Sequence, residues 1–206
     1  IMPGRAFVGT SGWNYEHWEG VFYPGGLKSE EWLGYYAKYF DTVELNNSFY
    51  RLPDRDQFEK WWEETPGGFT FAVKANRYLT HQKKLKDPEE ALDRMVDHVR
   101  GLDDKLGPIL YQLPPRWRVN SDRLRRFLEL LPTDVRHVFE FRDESWLVDE
   151  VFDLLKEHSA GLCIMSAPDL PRVLKVTAPF AYIRMHNGGY DTESCYEDPQ
   201  LEWWAE

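Results

Sequence analysis

Pro108-Ile109-Leu110-Tyr111-Gln112-Leu113-Pro114-Pro115 is a short apolar run closed by two prolines, with a helical pattern on each side. Such a run, bounded by turn residues, reads as a strand. Upstream, Pro88–Leu102 reads as a helix, with Asp87 as its cap and Pro88 at its first position, where a missing N–H costs nothing. Downstream, Ser121–Leu131 reads as a helix behind a serine cap. A strand between two helices is the unit of a parallel sheet.

Working outward, the same alternation fills the chain. Strands are expected at Ala6–Gly9, Thr42–Phe49, Phe69–Asn76, His137–Arg142, Gly161–Ser166 and Phe180–His186. Helices are expected at Ser29–Phe40 (capped by Ser29), Arg55–Glu64, Val148–His158 and from Leu201 onward, with Arg172–Thr177 read as a short helix or strand. The count is seven strands, where a closed (β/α) barrel needs eight. The expected fold class is α/β, a TIM-type barrel forming one domain over residues 1–206, either incomplete at its C-terminal side or closing irregularly, because the chain stops where an eighth strand is due.

Alternate side chains of a barrel strand point into the lumen. In the second strand Thr42, Glu44 and Asn46 oppose Val43 and Leu45; in the third Thr70, Ala72, Lys74 and Asn76 oppose Phe69, Phe71 and Val73. Gln112, then Glu140 with Arg142, then Arg184 with His186 take the equivalent places further on. Barrel active sites lie at the C-terminal ends of strands, and an internal charge is costly unless paired. Glu44, Lys74, Gln112, Glu140 and Arg184 are therefore expected to converge on one site, with Glu44–Lys74 and Glu140–Arg184 as structural ion pairs the competing explanation. Removing charge by Lys74→Met or Glu140→Gln is expected to leave the protein folded, with little loss or even a gain in melting temperature, because functional charges are held at a cost. His137 faces the helices and is expected to be structural; His98 and His158, on helices, are expected to be solvated.

The net charge of −10 disfavours non-specific attraction to nucleic acid or anionic membranes. No apolar run approaches the ~20 residues that span a bilayer. No signal-peptide apolar region precedes the first strand, and Cys163 and Cys195 are too few for a disulfide framework. The cytoplasm is the expected compartment. Aromatic residues make up 16% of the chain, enough to fill a core and also line a cleft.

Linked motifs carry a family resemblance. Gly9-Thr10-Ser11-Gly12-Trp13-Asn14-Tyr15 is followed by Trp18 and Phe22-Tyr23-Pro24, then by Glu44-Leu45-Asn46-Asn47-Ser48-Phe49-Tyr50-Arg51-Leu52-Pro53. Lys74 with Thr80-His81, Leu106–Pro115, Glu140-Phe141-Arg142 with Ser145-Trp146, and Tyr182-Ile183-Arg184-Met185-His186 continue the series. This set resembles the YecE-like family (domain of unknown function 72) over nearly the whole chain. The resemblance implies a TIM-type barrel and supplies no activity. Two departures stand out: the family usually has glycine directly after the histidine, whereas Asn187 intervenes before Gly188-Gly189 here. Relatives also continue past the Trp203-Trp204-Ala205 helix into a last strand and helix.

The chemistry follows from residue types. Arg51, Lys74, Arg77, Arg142, Arg184 and His186, with Arg116 and Arg118, gather cations near strand ends of an acidic protein. That contrast points to a small anionic ligand, a phosphate or carboxylate, unless the arginines pair with Asp54, Asp143 or Glu144 at the rim, the preferred reading for Arg77 and Arg118. Glu44 and Glu140 would serve as general acid and base, Lys74 as base or Schiff-base amine, and His186 as a further catalytic group. Trp13, Tyr15, Asn46, Arg51, His81, Gln112, Arg142 and Arg184 are the candidate substrate-binding residues. Trp13, Tyr15, Trp18, Phe22 and Tyr23 form either an aromatic wall or packing under a loop. No close cluster accompanies His81 and His186, so no metal is expected. No dinucleotide or P-loop fingerprint is present, so no cofactor is expected. Two functions remain: a metal-independent acid–base enzyme of hydrolase or isomerase type, and a nucleic-acid-binding module that stacks bases on aromatics and holds phosphates with arginines.

Overall fold

The computed structural model describes residues 4–166, 171–186 and 196–205. Its strands are β1 (Gly9–Ser11), β2 (Thr42–Leu45), β3 (Thr70–Lys74), β4 (Leu106–Gln112), β5 (His137–Glu140), β6 (Gly161–Ser166) and β7 (Tyr182–Met185). The helices are α1 (Trp32–Tyr36), α2 (Asn47–Tyr50), α3 (Arg55–Glu64), α4 (Glu89–Val99), α5 (Ser121–Glu129), α6 (Asp149–Glu157) and α7 (Asp198–Ala205). The fold is α/β with a seven-stranded sheet whose strand order follows the chain from β1 to β7. The registered pairs β1–β2, β2–β3, β3–β4, β5–β6 and β6–β7 are parallel, as alternation with helices demands.

The chain divides into two compact units: one takes residues up to Lys83 with Asp87–Leu110, the other Lys84–Lys86 with Tyr111 onward. In the first, β2 and β3 bury Val43, Leu45, Phe71 and Val73, and α3 and α4 bury Phe58, Leu92 and Met95. Close strand approach excludes side chains at two points. A Cβ on Gly9 would collide with the Thr42 carbonyl oxygen, and one on Gly107 would lie 2.7 Å from that of Phe71. The β3–β4 register also shifts between Phe71 and Val73, opposite Pro108, which has no N–H to give the ladder. Lys105 is 5% exposed. Its ammonium bonds the Trp62 carbonyl, the Thr65 carbonyl at 2.6 Å and the Thr65 hydroxyl at 3.2 Å, closing the C-terminus of α3. In the second unit, Tyr111, Phe127, Phe139 and Trp146 are wholly buried, with Phe141 stacked on Trp146 at 5.1 Å.

Arg55–Glu64 and Gly161–Ser166 match expectation to the residue. Other boundaries move for local reasons. The second strand stops at Leu45, because Asn47 Oδ1 accepts from the Ser48 amide at 2.9 Å and the Ser48 hydroxyl returns to the Leu45 carbonyl at 3.1 Å. These bonds turn Asn47–Tyr50 into the short helix α2. The first strand begins at Gly9 rather than ending there. Ser29 opens a 3₁₀ turn, Ser29–Glu31, ahead of α1 instead of capping one long helix. Asp87 has a φ of 42° and does not cap α4, whose continuation Arg100–Lys105 is 3₁₀. The cap of α5 is Asn120, accepting from the Arg123 amide at 3.0 Å, not Ser121. His137 is structural as expected, held by the Tyr111 hydroxyl at 3.2 Å and the Pro132 carbonyl at 2.9 Å. His98 and His158 are not simply solvated: they reach the Pro53 and Leu154 carbonyls at 2.8 and 3.0 Å. Arg172–Thr177 is irregular. No described helix is long and apolar enough to cross a membrane. Asn187, Gly188, Gly189 and Cys195 lie outside the described residues.

Candidate functional site

In each compact unit the expected site residues lie at or near strand ends. In the first unit, Ser11 and Glu44 are direct register partners on β1 and β2, so their side chains leave the same face of the sheet. Glu44 is 7% exposed. The Asn46 amide donates to Ser11 Oγ at 2.7 Å, and Ser11 Oγ donates to Glu44 Oε1 at 2.8 Å. Tyr15 OH donates to the Ser11 carbonyl, and burial together with the nearby Glu44 charge raises the Tyr15 pKa. Ser11 is the cluster member that sequence reading placed in a motif without giving it a role; the signal that finds it is the strand register.

Lys74 ends β3 with its ammonium 4.4 Å from the centre of the Phe49 ring, a cation–π distance. His81 meets the same ring edge-on at 5.0 Å, and its Nδ1 lies 2.9 Å from Thr80 Oγ1. His81 sits on a single π-helical turn, Tyr78–Gln82, a form concentrated at functional sites. Ser48 and Asn76 brace this end of the unit, through Ser48 Oγ to the Lys74 carbonyl at 2.7 Å and Asn76 Nδ2 to the Ser48 carbonyl at 2.9 Å.

The aromatics after β1 divide. Trp13 is half-buried and packs edge-on against Trp61 of α3 at 5.5 Å. Phe22 and Tyr23 lie in a cluster with Trp18, Trp32, Tyr35 and Tyr36, and Tyr23 is 1% exposed. Packing accounts for that cluster. Arg51 and Arg77 are exposed.

In the second unit, Glu140 at the end of β5 is wholly buried. Its Oε1 accepts from Gln112 Nε2 at 2.7 Å and from Arg142 Nε at 2.5 Å, and its Oε2 accepts from Arg184 Nη1 at 2.5 Å. Burial opposes ionisation here, but the two guanidinium groups and the Gln112 bond outweigh it and hold the Glu140 pKa below the usual carboxylate range. Arg142 Nη2 also donates to His186 Nε2 at 3.0 Å. A guanidinium has no acceptor, so this bond makes Nε2 the unprotonated nitrogen of a neutral His186. Arg142 is 26% exposed and Arg184 11% at the side chain. At the neighbouring rim, Asp143 accepts from Ser145 rather than from an arginine, at 2.6 Å to the hydroxyl. Among the described residues no group of three His, Cys, Asp or Glu side chains could hold a metal ion.

Residues 7–206 match the family model described as Protein of unknown function DUF72. The UPF0759 protein YunF of Bacillus subtilis is 28% identical over 182 residues, 84% of this chain and 64% of YunF. The UPF0759 protein YecE of Escherichia coli K12 is 26% identical over 137 residues, 66% of this chain and 48% of YecE. The matches thus span less than two thirds of either curated relative. A crystal structure of a DUF72 family protein from Thermotoga maritima superposes with a TM-score of 0.83 and 29% identity, over 96% of this chain and 84% of that one. One from Enterococcus faecalis gives 0.69 at 21% identity, covering 79% and 66%.

Proposed function

The chain belongs to the DUF72 family, and from that premise we propose that it is a metal-independent acid–base enzyme, of hydrolase or isomerase type, acting on a small anionic substrate. We propose further that its sheet is that of a single-domain TIM-type barrel in the cytoplasm, with function at the strand C-terminal ends.

The observation that carries this reading is Glu140: a carboxylate with no exposure, bonded to two arginines and a glutamine. Burying such a charge network is a poor way to gain stability, since apolar side chains of similar volume do as well or better. It is a good way to fix two guanidinium planes. Arg142 commits Nε and Nη2 to Glu140 and His186, which leaves Nη1 among the described residues for a ligand oxygen. Glu140 acts as a positioning residue: its low pKa and its bonded oxygens suit it to hold cations rather than to exchange protons. Proton transfer falls to His186, beside Arg142, and in the first unit to Glu44 and Lys74.

A thermal-shift panel of phosphate and small carboxylates, against sodium chloride of equal ionic strength, tests the reading. Ligand at a hundred times its Kd stabilises by about 2.7 kcal/mol, and Arg142→Met is expected to abolish the response. Oligonucleotides are expected to bind weakly at physiological salt. A flat anion panel beside tight, salt-sensitive oligonucleotide binding overturns the proposal in favour of the nucleic-acid reading.

A further inference from the structure

Ser11 is exposed at the end of β1, while its partner Glu44 is buried. The polarity of the bonds between them is fixed by elimination. The Asn46 amide nitrogen can only donate, so the Ser11 oxygen accepts from it at 2.7 Å. The hydroxyl has one proton, and the 2.8 Å contact directs it to Glu44 Oε1. The hydroxyl of an exposed residue is thus oriented by a third group, with its proton aimed at a carboxylate. That is the arrangement of a base-activated nucleophile.

We propose that Ser11 is a nucleophile and Glu44 its general base, acting on an activated acyl group such as an aryl ester or thioester. The assignment rests on the reading of Glu44 as an acid–base group, not on anion binding at Glu140. As Ser11 Oγ bonds to the acyl carbon, its proton passes to Glu44 Oε1 and the carbonyl π pair moves to oxygen. Collapse expels the aryloxide or thiolate, which takes the proton back from Glu44. Water then attacks the acyl-serine, giving its proton to Glu44, which returns it to Ser11 as the acid leaves. A carboxylate is a weak base toward a serine hydroxyl, which is why the substrate needs a good leaving group and an amide does not qualify.

The test is labelling with a fluorophosphonate, in which the serine oxygen displaces fluoride, read by peptide mass spectrometry. Ser11 is expected to react at least about tenfold faster than Ser29, an exposed serine of the same chain, and Glu44→Gln to slow it by about a hundredfold or more, the usual contribution of a general base. Circular dichroism confirms that the variant is folded. Should Ser11 label no faster than Ser29 in the wild-type protein, or equally fast in Glu44→Gln, the proposal is overturned and Ser11 merely satisfies a buried carboxylate. The anion panel run on the same samples separates the readings. Labelling without an anion response removes the Glu140 site alone, and an anion response without labelling removes the nucleophile alone.

Discussion

Glu44 and Glu140 are both buried carboxylates at the ends of parallel strands, yet they are held in different ways. Glu44 accepts from the hydroxyl of Ser11, an exposed residue. Glu140 takes two guanidinium groups and a carboxamide, and has no exposure. The first arrangement links a buried carboxylate to an exposed residue through an exchangeable proton. The second locks the carboxylate as an anion and turns its charge into geometry for its neighbours. Two glutamates that look equivalent in strand position are thereby suited to different work, one to moving protons and one to aiming cations.

The sharpest way to break this contrast is stability. Glu140→Gln removes one partner of a buried network, and the loss expected in urea unfolding is about 3–5 kcal/mol. This revises the expectation from sequence that the substitution would be tolerated. A variant as stable as the wild type would mean that the arginines do not depend on Glu140.

Acid titration sharpens the comparison next. Because the folded pKa of Glu140 is lowered, its contribution is present above the unfolded value of about 4.3 and is lost as pH falls through the folded pKa. In Glu140→Gln the acid limb of the stability curve is expected to flatten by up to about 1.4 kcal/mol per pH unit, the equivalent of one proton. Burial also lowers the His137 pKa, so its contribution begins to fall as pH drops below about 6.5, in a window separate from that of Glu140. Unfolding midpoints measured at intervals from pH 7.5 to pH 3 distinguish the two.

The smallest effect is expected at the other carboxylate. Glu44→Gln keeps an oxygen to accept the Ser11 proton, so its cost in the same urea assay is expected to stay within about 1 kcal/mol. A loss as large as that of Glu140→Gln would erase the distinction and make both clusters structural.

Sequence periodicity carried the alternation of strands and helices because seven short apolar runs separated by amphipathic segments repeat one physical pattern. It failed where side chains rewrite the backbone locally. Asn47 and Ser48 lie in a stretch that reads as strand, and only their bonds to nearby backbone reveal the helical turn. The candidate residues were legible one by one, since a charged side chain on the inner face of a strand is conspicuous. Their partnerships were legible only in part. The Arg184 bond to Glu140 joins positions 44 residues apart, and the Ser11 bond to Glu44 depends on a register that no spacing encodes. Sequence did raise Glu140–Arg184 as an ion pair, and the structure adds Arg142 and Gln112 to it.

Lys105 offers a use of another kind. Its ammonium is enclosed by the carbonyls that close α3, whereas an ordinary lysine extends into water. An acylating reagent should therefore modify the chain's exposed lysines in the native state and spare this one until the end of α3 comes apart. Lys105 is a built-in chemical clock for that opening: the rate at which it becomes acetylated, followed by mass spectrometry at low denaturant, reads how often the first unit loosens without any label having been added to it.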